Sequence, residues 1–206
     1  MTDKPIIFSA PMVRALLDGR KTQTRRLLKG RSGIIAARSV IQNGLHWLAI
    51  EYDRSWPLRL PYAPGDRLYV REAFSYDRLD VDRDGTLPPW YWADGNPSSG
   101  DWSRPKPSIF CPRWASRITL TVTEVRVQRL QEISREDAIA EGIEGDTDGW
   151  FDYLLPATQC CARPQDSYAT LWNSLHGPDA WDANPWVVAI SFKTHKCNID
   201  KMPEGV

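Results

Sequence analysis

Seven consecutive residues, Arg20-Lys21-Thr22-Gln23-Thr24-Arg25-Arg26, set four cations, two hydroxyls and one amide side by side. From Arg14 to Arg31, seven Lys or Arg stand against a single acid, Asp18. The whole chain balances 26 cations with 26 anions, so this excess is local. A concentrated positive field steers an anionic ligand. The competing reading is a solvated turn at a helix end, where cations offset the helix dipole. The second chemically able group is Glu141, near the end of the helix-like run 130–143. A carboxylate in the last helical turn opposes the dipole by ~0.3–1 kcal/mol. Glu141 is therefore neutralised by a cation, kept for use, or left facing solvent at that cost. His176 and His195 stand alone and read as a helix-end and a strand-edge residue. The four cysteines, Cys111, Cys160, Cys161 and Cys197, show neither C-x-x-C pairing nor a matching His spacing. They read as reduced thiols, with the vicinal pair in a loop and no metal or cofactor expected.

These groups need elements to position them. Residues 5–9, PIIFS, are β-prone and lead into a short helix whose Met12, Val13, Leu16 and Leu17 share an apolar face. Pro11 suits its first turn, and Gly19 a left-handed cap at its end. If Arg20 to Arg26 continued as a regular strand, Lys21 and Thr24 would face opposite sides. Their cooperation requires irregular backbone after Gly19, or a bulge. Leu45 to Ile50 reads as a strand after the turn-like Asn43-Gly44, forming a hairpin with SVIQ. Pro64-Gly65-Asp66 is a turn before the strand RLYVREAF, in which Arg71 and Glu72 point to opposite faces. One of them looks into a cleft, or both are solvated. Ile118, Leu120 and Val122 alternate with threonines, and the apolar phase then shifts to Val125 and Val127, which predicts a bulge or bend at Glu124. In LQEISREDAIAEGI, Ser134 is an N-cap, with Asp137 three residues on as an approximate capping box, and Gly142 a stop. SYATLWNSLHG is a further helix, with Tyr168, Leu171, Trp172 and Leu175 on one face, and PWVVAISFKTH is the last strand.

The run Gly19-Arg20-Lys21-Thr22-Gln23-Thr24-Arg25, following a short amphipathic helix, resembles the signature of ASCH domains. These belong to the PUA-like superfamily and are associated with RNA and modified nucleosides. PGDRLYVREAF, PRWASRITL and NPWVVAISF extend the likeness, which is strongest to ASCH-type proteins encoded by bacteriophages and prophages. The resemblance implies an α+β fold: a PUA-like small β-barrel flanked by short helices. In the amidohydrolase members the motif runs Gly-x-Lys-Thr-x-Thr-x-Arg or close to it, and Lys21 and Thr24 occupy its reactive positions. A glutamate in the helix after the long central strand completes that site. The pattern L-x-x-[ILV]-[ST]-x-x-x-A-x-x-E puts it at Glu141, with Glu136 and Glu144 as the other positions.

The implied activity is hydrolysis of an acylated cytosine nucleoside such as N4-acetylcytidine. Glu141 would act as general base, Lys21 as the cation at the developing oxyanion, and Thr24 as nucleophile or orienting group. Arg20, Thr22, Arg25, Arg26 and Arg71 would contact substrate, with Arg25 or Arg26 on ribose or phosphate. The other readings are a non-catalytic RNA- or nucleotide-binding module using the same basic cleft, and a ribonuclease, for which no His pair lies near the motif.

A chain of 206 residues fits one domain, 1–206. Ten Trp and sixteen Pro argue for a loop-rich fold over disorder or a coiled coil. Residues 75–113 and 144–166 read as long insertions, and 197–206 as a loose tail. The first insertion carries Trp90-Tyr91-Trp92 and Trp102, which either stack a nucleobase or pack onto the domain itself. With no apolar run of membrane length and no hydrophobic signal segment, the sequence predicts a soluble cytoplasmic protein with no membrane partner.

Overall fold

Ile6 alternates with exposed neighbours along an extended segment, while Met12, Val13, Ala15 and Leu16 repeat at helical spacing, and these two patterns set the first elements. The computed structural model describes residues 3–28, 37–42, 45–50, 54–57, 60–79, 87–155 and 160–202. Among them the chain runs β1 (Asp3–Ile7), α1 (Ala10–Leu17), β2 (Gln23–Leu27), β3 (Ala37–Gln42), β4 (Leu45–Ile50), β5 (Arg54–Pro57), β6 (Arg67–Arg71), β7 (Phe74–Ser75) and β8 (Trp90–Tyr91). It continues as β9 (Thr119–Arg129), α2 (Arg135–Ala140), α3 (Pro164–His176) and β10 (Trp186–His195). This is an α+β chain with a mixed five-stranded sheet of order β1-β6-β9-β10-β2. The ladder of described strands is open, with β1 and β2 at its edges. No described helix is long and apolar enough to cross a membrane.

The chain divides into two compact units. The first holds Met1–Thr22, Pro64–Thr123 and Phe192–Val206; the second holds Gln23–Ala63 and Glu124–Ser191. In the first, β1 pairs in parallel with β6 from Asp3↔Arg67 to Ile7↔Arg71, and β6 pairs antiparallel with β9. Val13, Leu16, Leu68, Val70, Leu120 and Phe192 are buried there. Pro11 opens α1, and Gly19 ends it at φ 77°, a conformation that costs glycine little. Gly65 makes the turn before β6 at φ 86°. The predicted strand 67–74 breaks in two, because β6 stops at Arg71 and Phe74 pairs instead with Tyr91 of β8.

The first insertion therefore has structure of its own. Phe74, Cys111 and Ala115 form a small buried cluster covered by Tyr76, Tyr91 and Trp114. The Tyr91 hydroxyl donates to the Ala115 carbonyl, and the Trp92 indole donates to the Ser75 hydroxyl. The Trp90 and Trp102 rings lie 5.8 Å apart, and their indole N–H groups donate to the carbonyls of Gly95 and Ser99. The supposed tail is not loose between residues 197 and 202. Ile199 is 1% exposed, and the Asn198 amide donates to the carbonyls of Arg113, Trp114 and Ser116. Residues beyond 202, and the Asn43-Gly44 turn, lie outside the described residues.

In the second unit β10 pairs antiparallel with β2, from Val187↔Leu27 to Ser191↔Gln23. β3, β4 and β5 form a three-stranded antiparallel sheet whose Gln42↔Leu45 register is that of the expected hairpin. Val125, Val127, Leu130, Ala138, Tyr168, Leu171, Trp172 and Ile190 are buried. α2 begins directly after its expected N-cap Ser134 and occupies six residues, while Leu130–Glu132 before it forms a separate 3-10 turn. α3 starts earlier than expected, at Pro164, and its apolar face ends at Trp172, leaving Leu175 60% exposed.

Candidate functional site

The basic motif straddles the division of the chain: Lys21 and Thr22 belong to the first unit, Gln23 to Arg26 to the second. Its first half is irregular, as a cooperating Lys21 and Thr24 would require, and regular strand begins only at Gln23. The Lys21 N–H donates to the Ala15 carbonyl at 3.0 Å, so the residue is fixed by the wrapping-up of α1. Its side chain is 2% exposed, with the ammonium 5.7 Å from the centre of the Phe8 ring. A fully buried lysine is rare unless its charge is matched. Arg20 pairs with Asp18 at 3.1 Å, and exposed Thr22 offers its carbonyl to the Phe192 N–H. Arg71 donates to the carbonyls of Cys111 and Ile109. Its neighbour Glu72 is buried against Arg117, which also holds Asp94 and lies 4.0 Å over the Tyr91 ring. Burial raises the Glu72 carboxyl above its ordinary value even against the hydrogen bond from Arg117.

The second unit contains the denser constellation. α2 is capped by the Ser134 hydroxyl, which accepts from the Asp137 N–H, and ends at Glu141 with Gly142 beyond it at φ 84°. Asp137 and Glu141 are four residues apart, so a helical backbone turns both acids to one side. Two like charges at that spacing repel, and Arg25 resolves the repulsion. Its guanidinium donates through Nη2 to Asp137 at 2.8 Å and through Nη1 to Glu141 at 3.1 Å, with its side chain fully buried. Gln23 lies two residues earlier on β2, hence on the same face. Its amide accepts from Arg25 and donates to Asp137 at 3.1 Å and to Ser191 at 3.2 Å. Arg126 on β9 supplies a second cation, donating to both Asp137 oxygens at 2.9 and 3.0 Å.

Burial alone would raise the Asp137 carboxyl. The Arg126 hydrogen bond, the Arg25 charge and the Gln23 hydrogen bond outweigh it and hold the group below its ordinary value. Glu141 is 3% exposed. Tyr168 of α3 is enclosed beside it, and burial, followed by the Glu141 charge, pushes its phenol well above the ordinary value. The hydroxyl thus stays protonated and donates to the Glu141 carboxylate. The Arg25 guanidinium lies 5.9 Å over the Tyr168 ring. The buried Arg25 Nε–H has no acceptor among the described residues.

The structure therefore brings Arg25 to Glu141, with the guanidinium turned onto carboxylates. Thr24 is buried opposite Ile190 of β10, and strand alternation gives it the face opposite Gln23 and Arg25. Half-buried Arg26 contributes, after burial, to holding His176 below its ordinary value. His176 stacks 4.2 Å from Trp172 at the helix end, and His195 meets Thr121 at 3.1 Å. Three residues that complete the cluster were not expected at the site: Asp137, Arg126 and Tyr168. The four-residue step from Asp137 to Glu141 was the available signal. Among the described residues, the one grouping of metal-ligand type lies elsewhere, around Asp152. No protein-family model, curated protein or solved structure matches the chain.

Proposed function

We propose that the chain is an amidohydrolase of acylated cytosine nucleosides, of the N4-acetylcytidine type, built on the ASCH pattern with its PUA-like barrel. What supports the reading is Glu141: the sequence pattern puts it ahead of Glu136 and Glu144, and it is a buried acid held by a guanidinium and a phenol. A base held in one orientation is what general-base catalysis needs, and such catalysis contributes ~10²–10⁴-fold. Glu141 takes a proton from water as the water oxygen adds to the acyl carbon. Lys21 stabilises the oxyanion, a role worth ~2.7–4 kcal/mol per donor. The bond to N4 then breaks, the proton passes to the departing amine, and cytidine and acetate leave. Lys21 serves here as the electrostatic partner, not as the base.

The test is incubation of the full chain with N4-acetylcytidine, following the release of cytidine. Glu141→Gln keeps a hydrogen-bonding partner for Arg25 and Tyr168 while removing the base, and Lys21→Ala removes the cation. Each is expected to lower turnover by at least ~10²-fold. Turnover that survives both substitutions defeats the assignment. No turnover in the unaltered chain, together with nucleic-acid retention that falls steeply with salt, establishes the non-catalytic binding module in its place.

A further inference from the structure

The segment that precedes α3 carries a second chemical grouping, unrelated to the basic motif. Asp152 is fixed from both sides onto α3. The Ser167 hydroxyl donates to the Phe151 carbonyl at 2.6 Å, and the Tyr153 N–H donates to the Thr170 hydroxyl at 3.0 Å. Within the Asp152 carboxylate, Oδ1 accepts from the N–H groups of Leu154 and Leu155 at 2.8 and 3.2 Å. That leaves Oδ2 directed to the Cys160 thiol, 3.6 Å away. Cys161 is placed from the other direction, its N–H and carbonyl exchanging hydrogen bonds with Trp150 at 3.2 and 2.9 Å. Trp150 is itself bridged to Gly145, where an added Cβ would stand 2.6 Å from the indole ring. The two sulfurs and one carboxylate oxygen all lie within 4.8 Å of one another. Cys160 is exposed, Asp152 half-buried and Cys161 buried, and none of the cysteines forms a disulfide.

We propose that Asp152, Cys160 and Cys161 form a binding site for a single thiophilic divalent cation of the zinc class. Three protein ligands with solvent in the fourth position is a recurrent zinc arrangement. Zn–S bonds of ~2.3 Å put two sulfurs of a tetrahedron ~3.8 Å apart, so closing from a spacing within 4.8 Å takes a side-chain movement of at most ~1 Å. Thiolates select zinc over magnesium or calcium, which prefer oxygen ligands throughout. The hydrogen bonds to Asp152 Oδ1 are of the kind that orient a ligating carboxylate from behind. Binding exchanges two thiol protons for two metal–sulfur bonds, and the protons leave to the buffer. The site shares no residue with the proposed hydrolase site and does not depend on that reading.

The experiment is a Co²⁺ titration of the full chain, reduced and freed of metal with a chelator, followed by displacement with Zn²⁺. One equivalent is expected to give thiolate-to-cobalt charge-transfer absorption with the d–d bands of a tetrahedral ion, both abolished by one equivalent of Zn²⁺. Cys160→Ser, at an exposed position where the fold is not at stake, and Asp152→Asn are each expected to weaken binding by more than ~10-fold, the least that changes around a metal site bring. Cys197→Ser leaves the titration unchanged. Absence of the charge-transfer band in the unaltered chain, or its undiminished persistence in either ligand variant, overturns the proposal.

Discussion

Arg25 holds two acids with one planar cation, and its forked geometry is what lets it reach both. Without it, Glu141 keeps its burial and loses its compensating charge. Removing one partner of a buried ion pair costs ~3–5 kcal/mol. Arg25→Met is expected to lower the urea midpoint accordingly, and Arg25→Lys to recover only part, because an ammonium cannot span both carboxylates. In the Arg25→Met background, Glu141→Gln should cost less than in the unaltered chain; additive losses would show that the two groups are not coupled. At this scale the sequence was informative about which residues are unusual. Lys21, Thr24, Arg25 and Glu141 were all singled out, and all are buried. It was silent about partners. Arg25 reads as a phosphate contact until β2 and α2 are both in place, and Asp137 reads only as part of a helix cap. Pairing across more than a hundred residues leaves no local trace. The metal-type grouping was hidden for a related reason: its third member, Asp152, stands eight residues before Cys160 in no recognised ligand spacing.

α2 is short enough for its cap to matter beyond helix stability. The Ser134 hydroxyl accepts from the N–H of Asp137, the residue whose carboxylate ties Arg25, Arg126 and Gln23 together. Ser134→Ala is expected to cost ~1 kcal/mol, measured as a lower thermal midpoint, while Ser134→Asp is expected to retain most of the stability. Elements with strong periodic or capping signals were legible: α1 with its Pro11 start and Gly19 stop, α2 with its cap, and β9 with the change of phase. That change shows as two successive exposed residues, Thr123 and Glu124, between buried Val122 and Val125. Strand ends and short pairings were not legible. β7 and β8 are two residues each and exist because they pair with one another, which no periodicity records. Leu175 continues the spacing of the α3 face yet finds no cover, since amphipathic spacing names a side of a helix without showing how far along it the neighbours extend.

Charge neutrality in composition conceals an uneven response to acid. Asp3, Asp137, Asp166 and Asp200 are all held below their ordinary values: Asp3 and Asp137 by guanidinium partners that outweigh burial, Asp166 and Asp200 chiefly by hydrogen bonds from Arg163 and Arg113. Such groups are ionised in the folded chain at pH values where the unfolded chain already takes up protons. Their stabilisation is present above the unfolded value of ~3.9 and is lost as pH falls through the lower folded values. Glu72 has the opposite sign, since its raised carboxyl takes up a proton more readily in the folded chain, and it offsets a part of this loss. Four groups against one predict falling stability below pH ~5, read from urea midpoints taken at descending pH. Asp137→Asn should flatten that slope, and an unchanged slope would remove Asp137 from the account.

Within the first unit, one nitrogen of Arg113 lies 2.6 Å from both Asp3 and Asp200. Positions 197 steps apart in the sequence are thereby fastened side by side. A brief glycine-serine tether from residue 202 to residue 3 would close the segment between them into a ring. A new opening in the exposed stretch around Ser98 would then yield a circular permutant that keeps this clasp while reversing the order in which its halves leave the ribosome.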